Sequence, residues 1–169
     1  IQTGWLKRHY PVEFMAALMN SVAGNSEKVA YYIEWCRRRG IRIAPPDVNQ
    51  SRETFSVDGA GEDRGIRFGL NAVKNVGRGA IACILEARAS YGPYRDLFDF
   101  IERMSAGQGQ VNKKAVESLI KAGAFDALRG NRAQKLCVYD LAMDGAAKRA
   151  RTVLAGQLSL FGDEDDSAA

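Results

Sequence analysis

The sequence predicts a mainly α fold of short helices with one small β element, and three features of its pattern predict it. Apolar residues recur three and four positions apart through most of the 169 residues. Glycines and residues able to cap helices divide that pattern finely. Only between positions 41 and 69 does the spacing change to strict alternation.

Pro11 suits the first position of a helix, where its missing N–H would be unpaired in any case. Val12, Met15, Ala16 and Met19 then keep helical spacing up to Gly24. Asn25 or Ser26 can cap a second helix through about Arg39, with Val29, Ile33 and either Cys36 or Arg37 on its buried side. Arg37, Arg38 and Arg39 fall in its last turn, where cations suit the helix dipole and where a solvated helix end explains them equally well. Gly40 ends it. Ile41 and Ile43 alternate, Pro45-Pro46 interrupts, Phe55 and Val57 alternate, residues 59–65 read as a polar loop, and Ile66 and Phe68 alternate again. This reads as a β linker over 41–69, a spacer between two helical parts. Short helices follow at about 70–75, 79–90, 96–104, 112–122 and 131–149, with Asp96, Asn112 and Asn131 as N-caps and Gly123 and Gly130 as punctuation. After Arg151 the periodicity fades, which predicts a flexible tail over 151–169.

The net charge of +4 understates the basic character, because Asp163, Glu164, Asp165 and Asp166 sit together at the end. Residues 1–162 carry 24 basic against 16 acidic side chains, a net of +8. A basic body suits a polyanion, although surface Lys and Arg also serve solubility. Cys36, Cys83 and Cys137 are scattered and His9 is the only histidine, so no structural zinc pattern exists and no metal ligand is assigned. Isolated cysteines fit a reducing cytoplasm, as small core residues. No apolar run approaches the ~20 residues needed to cross a bilayer, so no membrane partner is expected. The chain opens on Ile1 within what reads as a structured element, which suggests a piece of a longer protein.

The most informative internal stretch is Leu70-Asn-Ala-Val-Lys-Asn-Val-Gly-Arg-Gly-Ala-Ile-Ala-Cys-Ile84. It resembles a helix-hairpin-helix motif, whose hairpin reads apolar-Gly-x-Gly-x. Gly77 and Gly79 permit unusual backbone angles and let a phosphate approach the main chain. The N–H groups opening the next helix can then hold that phosphate, with Lys74 and Arg78 adding charge. Such contacts read the DNA backbone and carry no sequence information. Gly-x-Gly alone is weak evidence, since a tight turn between helices uses glycine for sterics. Residues 112–134 are similar to a second, less regular copy, which marks Lys113, Lys114, Lys121, Asn131 and Arg132 as further DNA contacts. The other reading of that copy is a simple packed helix pair. The expected unit is thus a tandem helix-hairpin-helix over 70–150.

Gln157-Leu158-Ser159-Leu160-Phe161, between Gly156 and Gly162, resembles the short peptide by which bacterial proteins bind the ring-shaped sliding clamp. The resemblance implies polar contacts from Gln157 and an apolar pocket for Leu160 and Phe161. The spacing of Leu154, Leu158 and Phe161 also permits one face of a terminal helix packed on the body.

Taken together the chain resembles the replicative-type α subunits of bacterial DNA polymerase III along nearly its whole length. The strings that carry this are Gln2-Thr-Gly-Trp-Leu-Lys7, His9-Tyr-Pro-Val-Glu-Phe-Met-Ala-Ala17, Pro46-Asp-Val-Asn49, Ile66-Arg-Phe-Gly-Leu70, Val73-Lys-Asn-Val-Gly77, Leu119-Ile-Lys-Ala-Gly-Ala-Phe-Asp126 and Gly130-Asn-Arg-Ala133. The resemblance implies that 1–40 are the last helices of the fingers region. It also implies that the partners are duplex DNA, the sliding clamp and the rest of the holoenzyme at the bacterial nucleoid. The family's catalytic aspartates and their Mg²⁺ belong to a palm upstream, so no catalytic residue and no cofactor is expected here. Residues 163–166 are the only close acidic group, read as a solvated tail rather than metal ligands. The competing readings are a helix-hairpin-helix domain of a repair nuclease or ligase, and a purely structural helical domain.

Overall fold

Pro11 does open a helix, which makes α2 Pro11–Ser21, preceded by α1 Gln2–His9. α2 stops three residues short of Gly24. The Asn25 side chain accepts a hydrogen bond from the Lys28 N–H at 3.0 Å and so caps α3 Ser26–Arg38. Gly40, at φ +72°, turns the chain out of α3 into the sheet. The Arg run at this end is held: Arg38 pairs with Glu34, and Arg39 lies 4.1 Å from the Trp35 ring centre, with Lys7 at 4.5 Å from it as well. The structure, a computed structural model, describes residues 2–106 and 111–161, the backbone alone for 2, 62 and 154–161.

The expected β element is a three-stranded sheet in the order β1-β3-β2, from β1 Arg42–Ala44, β2 Ser56–Asp58 and β3 Gly65–Arg67. β3 runs parallel to β1 and antiparallel to β2, with Ile66 opposite both Ile43 and Val57. It is more than a spacer. Ile41, Phe55 and Ile66 bury with Met15, Met19, Val29 and Cys36 in a first core. Burial pushes the Cys36 thiol up to about 11, so it behaves as an apolar core group. Cys137, in contrast, is exposed, against the expectation of three core cysteines.

A second core joins Val48, Leu70, Ile81, Ile84, Phe100, Val116, Leu119, Ile120 and Phe125. Phe68 packs against both cores. Residues 47–51 fasten the junction. The Asp47 carboxylate accepts the Asn49 and Gln50 N–H groups, and Arg88 donates to the carbonyls of Val48 and Ser51 at 2.9 Å each. The Asn49 amide exchanges two hydrogen bonds with the Tyr94 backbone, much as a strand neighbour would.

Around the second core lie α4 Arg78–Tyr91, α5 Leu97–Ala106, α6 Lys113–Ala122 and α7 Arg132–Phe161. The three expected caps are present. Asp96 accepts from the Asp99 N–H at 2.8 Å, Asn112 from Ala115 at 2.8 Å and Asn131 from Gln134 at 2.9 Å. Gln134 returns a bond to the Asn131 N–H, a reciprocal capping box.

Two helices differ from expectation. Residues 70–75 form only a single 3-10 turn, Leu70–Ala72. Asn75 adopts φ +64°, a left-handed conformation that ends any helix there. The last helix, expected to end near 149, continues to Phe161. Gly145 and Gly156 each weaken it by ~1 kcal/mol, but alanines and long basic side chains between them favour helix. Residues 151–161 are therefore helical backbone where an irregular tail was expected, and 162–169 lie outside the described residues.

Candidate nucleic-acid interface

α4 begins at Arg78 with Gly77 as its N-cap, and no side chain satisfies the N–H groups of its first turn. Gly77, Arg78 and Gly79 are all exposed. Gly77 has φ −77°, which any residue adopts, so the expectation of an unusual angle at this glycine is corrected. A Cβ there would also meet no atom within 4 Å. Neither backbone angle nor internal packing requires glycine at 77. What the missing side chain leaves is open access to helix-opening N–H groups, where a phosphate binds favourably.

Two residues upstream the first hairpin meets the second. Lys74, Asn75, Lys114, Ser118 and Lys121 line a groove of about 660 Å³ floored by Pro46, Phe68, Val73 and Ala122. Asn75 Nδ2 donates to Ser118 Oγ at 3.0 Å and ties the hairpins together. Among the described residues Lys74, Arg78 and Lys114 enter no ion pair. Their charge faces solvent without internal neutralisation.

The remaining candidates of the second copy are engaged within the protein. Lys113 Nζ sits 2.7 Å from the carboxylates of both Asp140 and Asp144, whose hydrogen bonds hold its pKa above the ordinary lysine value. Lys121 pairs with Glu117 on its own helix. Arg132 donates to both carboxylate oxygens of Asp126 and, at 3.4 Å, to the Lys121 carbonyl. The Arg132 guanidinium holds the Asp126 carboxyl below the usual carboxylate range, against a smaller opposing effect of burial. Asn131 is occupied in the capping box. The structure thus brings Lys74, Lys114 and Lys121 together, places Arg78 on the adjacent helix start, and engages Lys113, Asn131 and Arg132 in contacts within the protein while leaving Asn131 and Arg132 exposed.

Sequence reasoning missed Asn75 and Ser118. An Asn between Lys74 and Val76-Gly77 could have signalled a left-handed turn, but its partner 43 positions away carries no local signal. It also missed Lys135, buried at 3% exposure and donating to three main-chain carbonyls. The side chains of Gln157, Leu158, Ser159, Leu160 and Phe161 lie outside the described residues; their backbone forms the last turns of α7. Among the described residues no group of three or more His, Cys, Asp or Glu could hold a metal ion, and no helix is long and apolar enough to cross a membrane.

Residues 40–135 match the family model described as the helix-hairpin-helix motif. The chain is 46% identical over 165 residues to the DNA polymerase III subunit alpha of Thermus aquaticus. It is 42% identical over 166 residues to that of Neisseria meningitidis serogroup B and 42% over 161 residues to that of Vibrio cholerae. These alignments cover 95–98% of this chain but only 13–14% of each relative, so the chain spans about one-seventh of the length of the proteins it matches. The chain belongs to the helix-hairpin-helix family, in the form found within DNA polymerase III α subunits.

Proposed function

We propose that this chain is the segment of a replicative DNA polymerase III α subunit that grips duplex DNA and tethers the enzyme to its sliding clamp. The observation that carries the DNA half is the groove where Lys74, Lys114 and Lys121 converge beside the uncapped, glycine-opened start of α4. Cations and main-chain N–H groups fit phosphates and ignore base identity, so binding is independent of sequence. The segment takes no cofactor and contributes no nucleotidyl-transfer chemistry; in this reading that belongs to a Mg²⁺-bearing palm elsewhere in the polymerase. It acts at the nucleoid in the bacterial cytoplasm, as part of the polymerase holoenzyme. Titration of the 169-residue chain with two unrelated duplexes across a salt series tests the DNA half. Equal affinities that fall together with salt are expected; no binding, or binding to one sequence alone, overturns it.

The clamp half rests on Gln157-Leu158-Ser159-Leu160-Phe161 at the end of α7. Two large apolar residues beside a polar Gln suit a pocket-and-rim contact, and a tether raises the local concentration of polymerase at DNA. Calorimetry with a bacterial clamp should show the combined Leu160→Ala and Phe161→Ala change weakening binding by roughly thirtyfold or more. Gln157→Ala should cost less and Ser159→Ala almost nothing. A double variant that binds the clamp as tightly as the parent removes the tether from the proposal.

A further inference from the structure

The opening 40 residues carry six basic side chains against three acidic ones. Two of those acids are engaged: Glu13 pairs with Arg64, and Glu34 pairs with Arg38. Lys7, Arg8, Arg37 and Arg39 are exposed and enter no ion pair among the described residues. Lys7 from α1 and Arg39 from the end of α3 meet on one ring, that of the half-buried Trp35, at 4.5 and 4.1 Å from its centre. The ring attracts each cation, but two like charges drawn to one ring repel each other, and neither has a carboxylate partner among the described residues.

Exposed aromatic rings accompany these cations. Trp5, two residues before Lys7 on α1, is 53% exposed, and Tyr10 is 48% exposed. Their ring centres lie 5.9 Å apart, and the His9 ring lies 4.7 Å from Trp5. Trp5 and Tyr10 belong to neither apolar core, so internal packing does not account for them. Large rings facing water mark a surface that meets a partner. An apolar protein surface would cover the rings and leave the unpaired cations unanswered. A duplex would offer phosphates but keeps its base faces inside its own stack. An unpaired strand offers both open base faces and phosphates, the combination that cationic surfaces with aromatic platforms recognise.

We propose that α1 and the C-terminal end of α3 form a binding surface for single-stranded DNA, with bases stacking on Trp5 and Tyr10 and backbone phosphates held by Lys7 and Arg39. A phosphate placed there relieves the repulsion between the two cations that share the Trp35 ring. Every base has a flat face, so the surface accepts strands of any sequence. It is built from other elements than the hairpin groove, and it takes an unpaired strand whether or not that groove grips a duplex.

Trp5 and Trp35 are the two tryptophans of the chain and both belong to this surface, so intrinsic emission reports its occupancy. The 169-residue chain is titrated with an oligothymidylate of about 16 nucleotides and, separately, with a blunt duplex. Saturable quenching by the oligothymidylate is expected, and little by the duplex. Anisotropy of a labelled oligothymidylate then compares variants. Trp5→Leu should weaken binding about tenfold with an unchanged melting temperature, and Trp5→Phe should restore most of it. Combined Lys7→Ala and Arg39→Ala changes should lower the salt slope by about 1.4, at roughly 0.7 per phosphate contact on a single strand. Combined Lys74→Ala and Arg78→Ala changes should leave oligothymidylate binding as it is. Absence of saturable binding overturns the proposal, as does a Trp5→Leu chain that binds like the parent. Loss of oligothymidylate binding in the Lys74 and Arg78 double variant also overturns it, because the strand would then lie on the hairpin. A parent that binds the oligothymidylate but no duplex supports this surface while removing the duplex reading.

Discussion

In the first hairpin Lys74 and Arg78 stand exposed and unpaired among the described residues, and Gly77 has an ordinary backbone angle with empty space around it. In the second, Lys113 is held by Asp140 and Asp144, Arg132 by Asp126, and Gly123 adopts φ +88° with the Arg132 guanidinium packed where its side chain would be. The two hairpins use the same residue types for different ends. One keeps its cations and its glycine free for something outside the protein, and the other consumes them in closing its own turn. A motif copy therefore identifies a geometry, and the partners of its charges decide whether it meets a ligand. Lys114, unpaired on the groove among the described residues, is the exception by which the second copy still presents a free cation to solvent.

Charge removal is the strongest way to break this comparison. Combined Lys74→Ala and Arg78→Ala changes should reduce the slope of log affinity against log salt by about 1.8, at roughly 0.9 per phosphate contact. At physiological salt that corresponds to roughly thirtyfold weaker duplex binding, alike on all sequences. The matching pair Lys113→Ala and Arg132→Ala should change the salt slope far less and lower the unfolding midpoint instead. Equal salt slopes for the two double variants would mean that the internal ion pairs open on DNA and that both hairpins grip.

The glycines give a second, smaller contrast. Gly123→Ala forces a left-handed angle on an alanine and drives its Cβ onto the Asp126–Arg132 pair, for a stability loss of about 1–2 kcal/mol in urea unfolding. Gly77→Ala should cost less, about 0.5–1 kcal/mol, since its backbone angle is ordinary and only the preference of an N-cap for Gly over Ala is lost. It should nevertheless weaken duplex binding, because a methyl group stands where a phosphate would approach. An unchanged affinity would show that phosphate does not reach this helix start.

These contrasts also mark what the sequence made legible. Asp96, Asn112 and Asn131 were readable as caps because a cap is a bond to a neighbour three residues on. Pro11, Gly40 and the alternation about Ile66 were local in the same sense. The first copy's Gly77-Arg78-Gly79 was legible as a helix start, though the helix expected before it is one 3-10 turn, because Asn75 turns left-handed to reach Ser118 on the other hairpin. The roles of Lys113, Arg132 and Lys135 were not legible. Asp140 and Asp144 approach Lys113 only when α7 packs on α6, and the Lys135 carbonyls converge only when the turn has closed. Charge in a sequence has no partner until the fold supplies one. The same holds for α7, whose glycines argued for an end that its alanine-rich context overrides.

The smallest expected effect is an acid dependence that only the second hairpin should show. Arg132 holds the Asp126 carboxyl below its ordinary value near 3.8, so the folded state releases this proton more readily than the unfolded chain does. The stability supplied by the pair is therefore complete above the unfolded value and is lost as pH falls through the lower folded one. The amount is about 0.5 kcal/mol, because both side chains are around half exposed and solvent screens them. Asp99 is a second such group on α5, where the Arg95 N–H and the Arg103 guanidinium together outweigh burial, and it supplies an acid dependence that belongs to neither hairpin. Urea midpoints followed from about pH 5 down to about pH 2.5 should separate the two contributions. Asp126→Asn should flatten only its own part of the profile, and Lys74→Ala in the first hairpin should leave the whole profile unchanged. If Asp126→Asn and the parent lose stability in parallel, Asp126 does not hold Arg132 in solution. Arg132 would then be as free as Lys74, and the difference between the hairpins would shrink to Lys113 alone.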